Sequence, residues 1–473
     1  MKKDDASSED VKIVEALNYK QELKRSLKLF SSFAIGFSFI SITTGIFTNY
    51  KFIIQTGGPV GIWSWPIVIA GQLLVALIFA ELAGIIPISG YSYQWIKRLS
   101  TPFLSWITGW ISFCFLILVI PAVDWAFALV FAGLLNIPIS DQSIKIIVMV
   151  TIIVQVTFNI LSIKLTSLIN NGAVFTEIIG IVGLTIFLFV AAFKSNVDPS
   201  ILLSTGNAAK GTSYIAPFLL TMLMGSFTIV GFEAAANLSE ETVNARKTVP
   251  KAVWSSVALA GIFGMFFLIA SVMAIPNLND VLNSDNPLSY IIVTTLGNVV
   301  GKLFLVIVGV SIFACGLVIT TSAGRLIYAM ARDKAFFFSR YFKKILPKTK
   351  TPAAATFFIL ILSLISTYFA ESLTVLVAAT ALLPALIYLI TVVTYGLTRK
   401  NVKFRADSFT LGKFSKPVLI FAVLWLILEI GILTIPEEFH TSTIVSGLMI
   451  IVGVISYFLF FRSRLVKRSR LVE

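Results

Sequence analysis

The chain has 473 residues, of which 57% are hydrophobic and only 13% are charged. A water-soluble protein would carry about twice that share of charged residues, so the composition excludes an ordinary soluble domain and indicates a membrane protein. The formal net charge of +14 would also suit a nucleic-acid-binding protein, but the basic residues fall between long apolar segments, which makes them a topology signal instead.

Residues 1–28 mix acidic and basic side chains and lack the apolar stretch of a signal peptide, so they are predicted to form a cytoplasmic N-terminal tail. Downstream, apolar stretches of about 20 residues, the length that a membrane-spanning helix needs, recur between short polar breaks. We therefore predict an all-α integral membrane protein with twelve transmembrane segments, numbered one to twelve. They lie at residues 29–50, 62–86, 103–135, 143–162, 172–193, 214–238, 252–275, 299–330, 353–369, 373–397, 416–435 and 441–461.

The basic residues orient these segments in the membrane. An even number of segments places both termini on one side, and nearly all of the 37 Lys and Arg residues fall on that side. Those that fall on the opposite side are Lys51, Lys145, Lys194, Lys210 and Lys302. The positive-inside rule then predicts a multi-pass protein of the cytoplasmic membrane with both termini inside, including a basic tail at residues 462–473.

Segments one and six contain residues that disfavour a continuous helix. In segment one, residues 38–45 read SFISITTG, and in segment six, residues 225–233 read GSFTIVGFE. A glycine costs about 1 kcal/mol in a helix interior relative to alanine, and unwound backbone at membrane depth is tolerated where it is buried in protein or lines a cavity. Breaks five segments apart indicate two inverted five-helix repeats. The alternative is that these glycines only let helices pack closely.

Four motifs occur in order along the chain. They are residues 19–26 (YKQELKRS), residues 80–83 (AELA) with 87–95 (PISGYSYQW), residues 231–233 (GFE) with 244–250 (NARKTVP), and residues 325–333 (RLIYAMARD). Together they resemble the amino acid, polyamine and organocation (APC) transporter superfamily, and more narrowly its amino acid and choline transporter branch. The resemblance implies a five-plus-five inverted repeat (LeuT-like) at residues 29–197 and 198–400, two extra helices at 401–461, discontinuous segments one and six, and no cofactor or metal.

The resemblance also implies where a solute binds. In similar transporters a substrate carboxylate is held by backbone amides and a hydroxyl at the first break, which corresponds here to Thr43, Thr44 and Gly45. Relatives more often have a Gly-Ser-Gly-like run at this place. The expectation agrees with elementary electrostatics, because the N-terminus of a half-helix presents unpaired N–H groups and the positive end of the helix dipole.

The substrate ammonium group is expected to meet carbonyl groups at the opposing half-helix ends. These correspond to Ser41 in segment one and to Phe227, Val230 and Gly231 in segment six. Phe227 matches an aromatic residue that covers bound substrate in relatives, although an ordinary packing role is about equally compatible with the sequence. Glu233 matches a carboxylate on the cytoplasmic side of the site and is assigned to gating or coupling.

Four further acidic residues lie inside predicted segments, where an ionisable side chain is by default a functional hypothesis. Asp124 could face a second amine of the substrate, carry a proton, or serve structure. Glu177 lies where some proton-coupled relatives carry a lysine, and it could bind a proton because burial disfavours the charged form. Glu81 is expected to form a gating or structural pair with a basic residue, and Glu429 a packing or oligomer contact.

The sequence favours a secondary transporter over an enzyme or a channel, because no HExxH, GxGD, Walker or TVGYG motif occurs. The chain has two cysteines, Cys114 and Cys315, both inside predicted apolar segments, and one histidine, His440. These are too few ligands to predict redox or metal chemistry. We expect uptake of an amino acid or related amine, coupled to protons, with precursor–product exchange as the alternative. The buried acids favour a substrate with an extra positive charge, and the sequence leaves the oligomeric state open.

Overall fold

The computed structural model describes residues 14–15, 19–23, 25–161, 163–206, 208, 213–370, 372–402 and 408–469. Most of the predicted N-terminal tail, Lys210 and residues 470–473 lie outside this part of the chain. Nearly all of the described residues are helical, and the extended pairing among them is limited to a parallel bridge between Leu27 and Thr242.

The helices follow the predicted segments closely. Segments one to five contain the helices Leu29–Ile40 with Ile42–Gly57, Ser64–Ile85, Pro102–Leu135, Asp141–Leu161 and Ile163–Lys194. Segments six to twelve contain Ile215–Thr228, Ala245–Met273, Asn298–Arg332, Ala353–Phe369, Leu373–Thr398, Ser415–Thr434 and His440–Ser456, the last of which continues as a π-turn at Tyr457–Phe461 and a helix at Arg462–Ser469. Segment six also contains the short helix Ala234–Asn237, and the short helices in the connections are Tyr91–Leu99, Leu278–Asn283, Pro287–Leu296 and Ser339–Phe342.

Ten helical stretches of the described chain are long and apolar enough to cross a membrane. Segments six and nine, as Ile215–Thr228 and Ala353–Phe369, are shorter apolar helices, and so is Pro287–Leu296, which the sequence reading did not identify. Large apolar side chains such as Phe175, Phe266 and Phe421 are more than half exposed on the outer faces, as expected where the solvent is lipid. The chain is therefore a multi-pass membrane protein, and the figure of twelve crossings stays a prediction.

The break in segment one is a single residue wide. Ser41 has a φ of 38°, a left-handed conformation that costs a non-glycine residue about 1–3 kcal/mol. Its N–H donates to Phe37 O at 2.9 Å and closes the first helix, while its carbonyl accepts from Gly45 N–H at 3.0 Å and starts the second. The break therefore lies at Ser41, within the predicted stretch at residues 38–45. Gly45 lies within the second helix, against the side chain of Thr228, which a β-carbon there would overlap.

The break in segment six is wider. The helix ends at Thr228, residues 229–233 are irregular, and only the four-residue helix Ala234–Asn237 follows before the 3-10 turn Ser239–Glu241. Gly231 has a φ of 75° and touches the ring of Phe39, so both its conformation and its surroundings require a glycine. Because Gly45 contacts segment six and Gly231 contacts segment one, the structure brings the two breaks together.

Candidate functional site

The carboxylate of Glu177 in segment five lies at the break of segment one. Its Oε1 accepts from Thr43 N–H at 3.3 Å, from Thr43 Oγ1 at 3.0 Å and from Ser41 Oγ at 3.3 Å. Glu177 is only 1% exposed. An anion at the first turn of a helix is stabilised by the N–H groups there and by the helix dipole. The first turn after this break therefore accommodates the protein's own carboxylate, and the binding of a substrate carboxylate there stays a prediction.

The other amides predicted to hold a substrate carboxylate also have partners inside the protein. Thr44 N–H donates to Ser41 Oγ at 3.3 Å, and the Thr44 hydroxyl donates to the same oxygen at 2.7 Å. Ser41 therefore caps the second half of segment one. Gly45 offers no free amide, because its N–H makes the first hydrogen bond of that helix. Its role in binding a substrate carboxylate stays a prediction.

Segment eight completes the wall around this break. Thr43 Oγ1 lies 3.1 Å from Ser311 Oγ, and the Cys315 thiol donates to Phe39 O at 3.4 Å. One helical turn of separation places Ser311 and Cys315 on the same face of that helix. Further along, the carbonyl of Ser322 accepts from Asn237 Nδ2 at 3.0 Å. This stripe of small polar residues thus connects the break of segment one to the short helix of segment six.

At the break of segment six, the unwound backbone is held by a tyrosine from segment ten. The Gly231 N–H donates to Tyr388 Oη at 2.9 Å, and the Tyr388 hydroxyl donates to Glu233 Oε2 at 2.8 Å. Phe227 and Val230 are buried beside this link. The sequence reading missed Tyr388, because a tyrosine in an apolar segment carries no signal of its own. Glu233 is 7% exposed, more than either Glu177 or Asp124.

Asp124 makes its hydrogen bond to segment four rather than to either break. Its Oδ1 accepts from Gln155 Nε2 at 2.8 Å, and the pair packs against Gly316 of segment eight. The remaining oxygens, Asp124 Oδ2 and Gln155 Oε1, are buried without a hydrogen-bond partner among the described residues. Neither oxygen accepts a hydrogen bond from a donor among the described residues. This favours a protonated Asp124 carboxyl over a charged one, because the protonated form supplies a donor. Gln155 is a second residue that the sequence reading missed.

No basic side chain balances these acids in the described part of the chain. The ion pairs found there do not include Asp124, Glu177 or Glu233. Moving a carboxylate out of water without a counter-charge is costly, so such groups bind protons or cations. Within the described residues, no three His, Cys, Asp or Glu side chains come together in a way that would hold a metal ion. The arrangement suits a positively charged solute, protons, or both.

The end of the molecule that carries the basic loops is closed by a polar network centred on Asp333. This carboxylate is 1% exposed and accepts from the hydroxyls of Tyr19 and Tyr93, each at 2.9 Å. It also accepts from Gln94 Nε2 at 3.1 Å and forms an ion pair with Lys97 at 2.5 Å. Tyr19, Gln94 and Asp333 come from three of the four sequence motifs, which therefore meet in one place.

Ion pairs join the ends of further segments around this network. Glu240 pairs with Arg332 at 2.9 Å, and the fully buried Glu241 pairs with Arg325 at 3.0 Å. Both acids follow the short helix of segment six, and both arginines end segment eight. These contacts hold the turn that follows segment six against the end of segment eight.

Glu81 and Glu429 bind different neighbours. Glu81 pairs with Arg399 at 3.0 Å and accepts from the hydroxyl of Tyr395 at 2.8 Å, so it has the basic partner that the sequence reading expected. Its gating role stays a prediction. Glu429 accepts from Gln72 Nε2 at 2.8 Å, which makes it a packing contact between segments eleven and two.

Comparisons with known proteins give consistent results. A family model described as amino acid permease matches residues 27–460. The chain is 28% identical to amino-acid permease BAT1 of Arabidopsis thaliana over 94% of this chain and 93% of that protein. It is 29% identical to the amino-acid permease BAT1 homolog of Oryza sativa subsp. japonica over 92% of this chain and 91% of that protein. An uncharacterized amino-acid permease of Schizosaccharomyces pombe is 27% identical over 89% of this chain and 79% of that protein.

Proposed function

Because the chain belongs to the amino acid permease family, we propose that it carries an amino acid or a related amine across the cytoplasmic membrane by alternating access, in proton-coupled uptake. In this proposal twelve segments cross the membrane, both termini are inside, and segments one to ten form the inverted repeat. The solute binds where the two broken segments meet. The observation that carries the proposal is the contact of Gly45 with Thr228 and of Gly231 with Phe39 beside buried, unpaired carboxyl groups.

The electrostatics of the breaks favour a solute with a positively charged end. Glu177 and Glu233 lie at the breaks and are buried without a basic partner in the part of the chain that the structure describes. We place the ammonium group of the solute between Ser41 and the carbonyls near Phe227 and Val230. An aromatic ring at position 227 can cover the bound cation through its negative face.

Glu177 provides a physical route for coupling to protons. While charged, it occupies the anion site at the first turn of the helix Ile42–Gly57 through Thr43 N–H. A proton on Glu177 removes this anion, and the carboxylate of an amino acid takes its place at Thr43 N–H and at the hydroxyls of Ser41 and Thr44. The substrate carboxylate binds at this place only when Glu177 carries a proton, so the proton and the substrate enter together. An amine without a carboxylate leaves Glu177 in place.

The experiment that tests coupled uptake uses the full chain in proteoliposomes with a labelled basic amino acid outside. We expect an inside-alkaline pH gradient to accelerate entry several-fold, and unlabelled amine inside to have little effect. If the gradient changes nothing and internal amine strongly accelerates entry, the protein is an exchanger of precursor and product, and proton-coupled uptake is wrong.

A further inference from the structure

A cavity lies away from the two breaks, at the basic-loop end of the molecule. Its volume is about 980 Å³, and its wall is formed where segments eight and twelve end. The residues on the segment-eight side run from Ala331 through the short helix Ser339–Phe342, and those on the other side are Phe460, Phe461 and Arg464. In the proposed topology, these ends of segments eight and twelve lie where the membrane meets the aqueous phase.

The cavity carries strong positive charge. Lys334, Arg340, Lys343 and Arg464 line it, all four are exposed, and no ion pair with an acidic side chain is found for them among the described residues. The only acidic residue of the lining is Asp333, whose carboxylate is already bound by Lys97 and by two tyrosines. Four cations without counter-charges in one cavity attract an anionic group.

The same cavity has an aromatic floor and an apolar rim. Phe337 packs against Phe461 with ring centroids 5.0 Å apart and against Phe460 at 5.7 Å. The rim includes Phe338, which is 71% exposed, and Tyr341, which is 59% exposed. Aromatic side chains at this depth are typical of residues that contact the interfacial region of a bilayer. A free phosphate ion would use the cations and leave this apolar surface uncovered.

We propose that this cavity binds one anionic phospholipid, with its headgroup phosphate on Arg340, Lys343 and Arg464 and its acyl chains along the phenylalanines. Basic pockets between membrane helices are suited to acidic headgroups, and each Lys or Arg near the membrane surface adds attraction. The inference does not depend on which solute is carried. Its assignment to the cytoplasmic leaflet follows from the proposed topology.

The bound lipid would also touch the network that closes this end of the protein. Arg332 lines the cavity, pairs with Glu240, and places its guanidinium 4.1 Å above the ring of Tyr19. An acidic headgroup offers Arg332 a second anionic partner in competition with Glu240. The lipid thereby weakens the Arg332–Glu240 ion pair and changes the position of the guanidinium that packs on Tyr19.

Native mass spectrometry of the full chain in detergent tests the proposal, with phosphatidylglycerol and phosphatidylcholine of identical acyl chains as the probes. The cavity variant is Arg340→Gln, Lys343→Gln and Arg464→Gln. The matched control is Lys400→Gln, Lys413→Gln and Lys416→Gln, which removes three exposed charges at the same end without touching the cavity lining. We expect the cavity variant to bind phosphatidylglycerol about tenfold more weakly or worse, and the control to bind as the unaltered chain does.

Equal weakening in the control, or none in the cavity variant, would overturn the proposal. So would displacement of phosphatidylglycerol by millimolar inorganic phosphate alone, since that indicates a simple ion site. A photoreactive phosphatidylglycerol added to the unaltered chain gives an answer even if the triple variant fails to fold. We expect labelled peptides from residues 334–343 and 460–464, and labelling that avoids both peptides would contradict the proposed site.

Discussion

Glu177 shows how one side chain can set the charge of the proposed transport site. It accepts hydrogen bonds from Ser41 and Thr43 of segment one, and Ser311 and Cys315 of segment eight lie close to it. The sequence indicated an anion site at this break, because a half-helix begins there. It could not reveal that a carboxylate 134 positions away fills the site, since that contact depends on how segment five packs.

The first prediction concerns this residue. Glu177→Gln keeps the shape of the side chain but removes the proton-accepting carboxylate, so uptake should lose its acceleration by an inside-alkaline pH gradient. Proteoliposome uptake with and without the gradient measures this. Glu429→Gln is the control, because Glu429 is another buried carboxyl group but contacts Gln72 in segment two instead. Gradient-driven uptake that survives in Glu177→Gln would exclude this carboxylate as the coupling group.

A second prediction concerns the Asp124–Gln155 pair. A β-carbon at Gly316 would overlap Gln155 and press on Asp124, so Gly316→Ala should destabilise the protein by about 1–3 kcal/mol, as overpacking does. Thermal unfolding in detergent measures the change. At Gly133 and Gly447 a β-carbon would meet open space, so alanine at either position should leave the melting temperature unchanged or slightly higher. Equal behaviour of all three variants would mean that the pair does not pack against Gly316.

At the scale of the helices, glycines serve two different purposes. Gly231 lies in the irregular stretch with a positive φ, whereas Gly45 lies in a helix and allows close contact with Thr228. The sequence predicted both broken segments, because hydroxyl, β-branched and glycine residues weaken a helix. It placed the first break only within residues 38–45, because a glycine that unwinds a helix and one that packs against a neighbour are identical in sequence.

Tyr388 provides a prediction about the wider break. Tyr388→Phe leaves the Gly231 N–H without its acceptor and Glu233 without its donor, which costs about 1–3 kcal/mol where such groups are buried. Uptake should fall at least several-fold because the unwound stretch is no longer held in one conformation. Tyr368→Phe removes a hydroxyl from a tyrosine that is 66% exposed. If the two variants transport alike, Tyr388 does not position the break.

At the scale of the whole molecule, the resemblance inferred from four motifs is confirmed by the family match over residues 27–460. Tyr19, Gln94 and Asp333 are 75 to 314 positions apart in the sequence, yet they meet in one network. Their convergence explains why they are informative together. The sequence predicted which segments are helical, because hydropathy and length decide that. It did not predict the proposed lipid cavity, because the basic residues that line it follow segments eight and twelve, which are far apart in the sequence.

The central claim is that a positively charged solute binds where segments one and six are broken, and ligand-induced thermal stabilisation tests it most directly. A ligand that binds only the folded protein raises the melting temperature. Basic amino acids and diamines should stabilise the unaltered chain, and the shift should vanish when Thr44→Ala is combined with Phe227→Ala. The control pair Thr157→Ala and Phe193→Ala, at exposed positions, should keep the full shift. An undiminished shift in the Thr44→Ala, Phe227→Ala variant would show that the solute binds elsewhere.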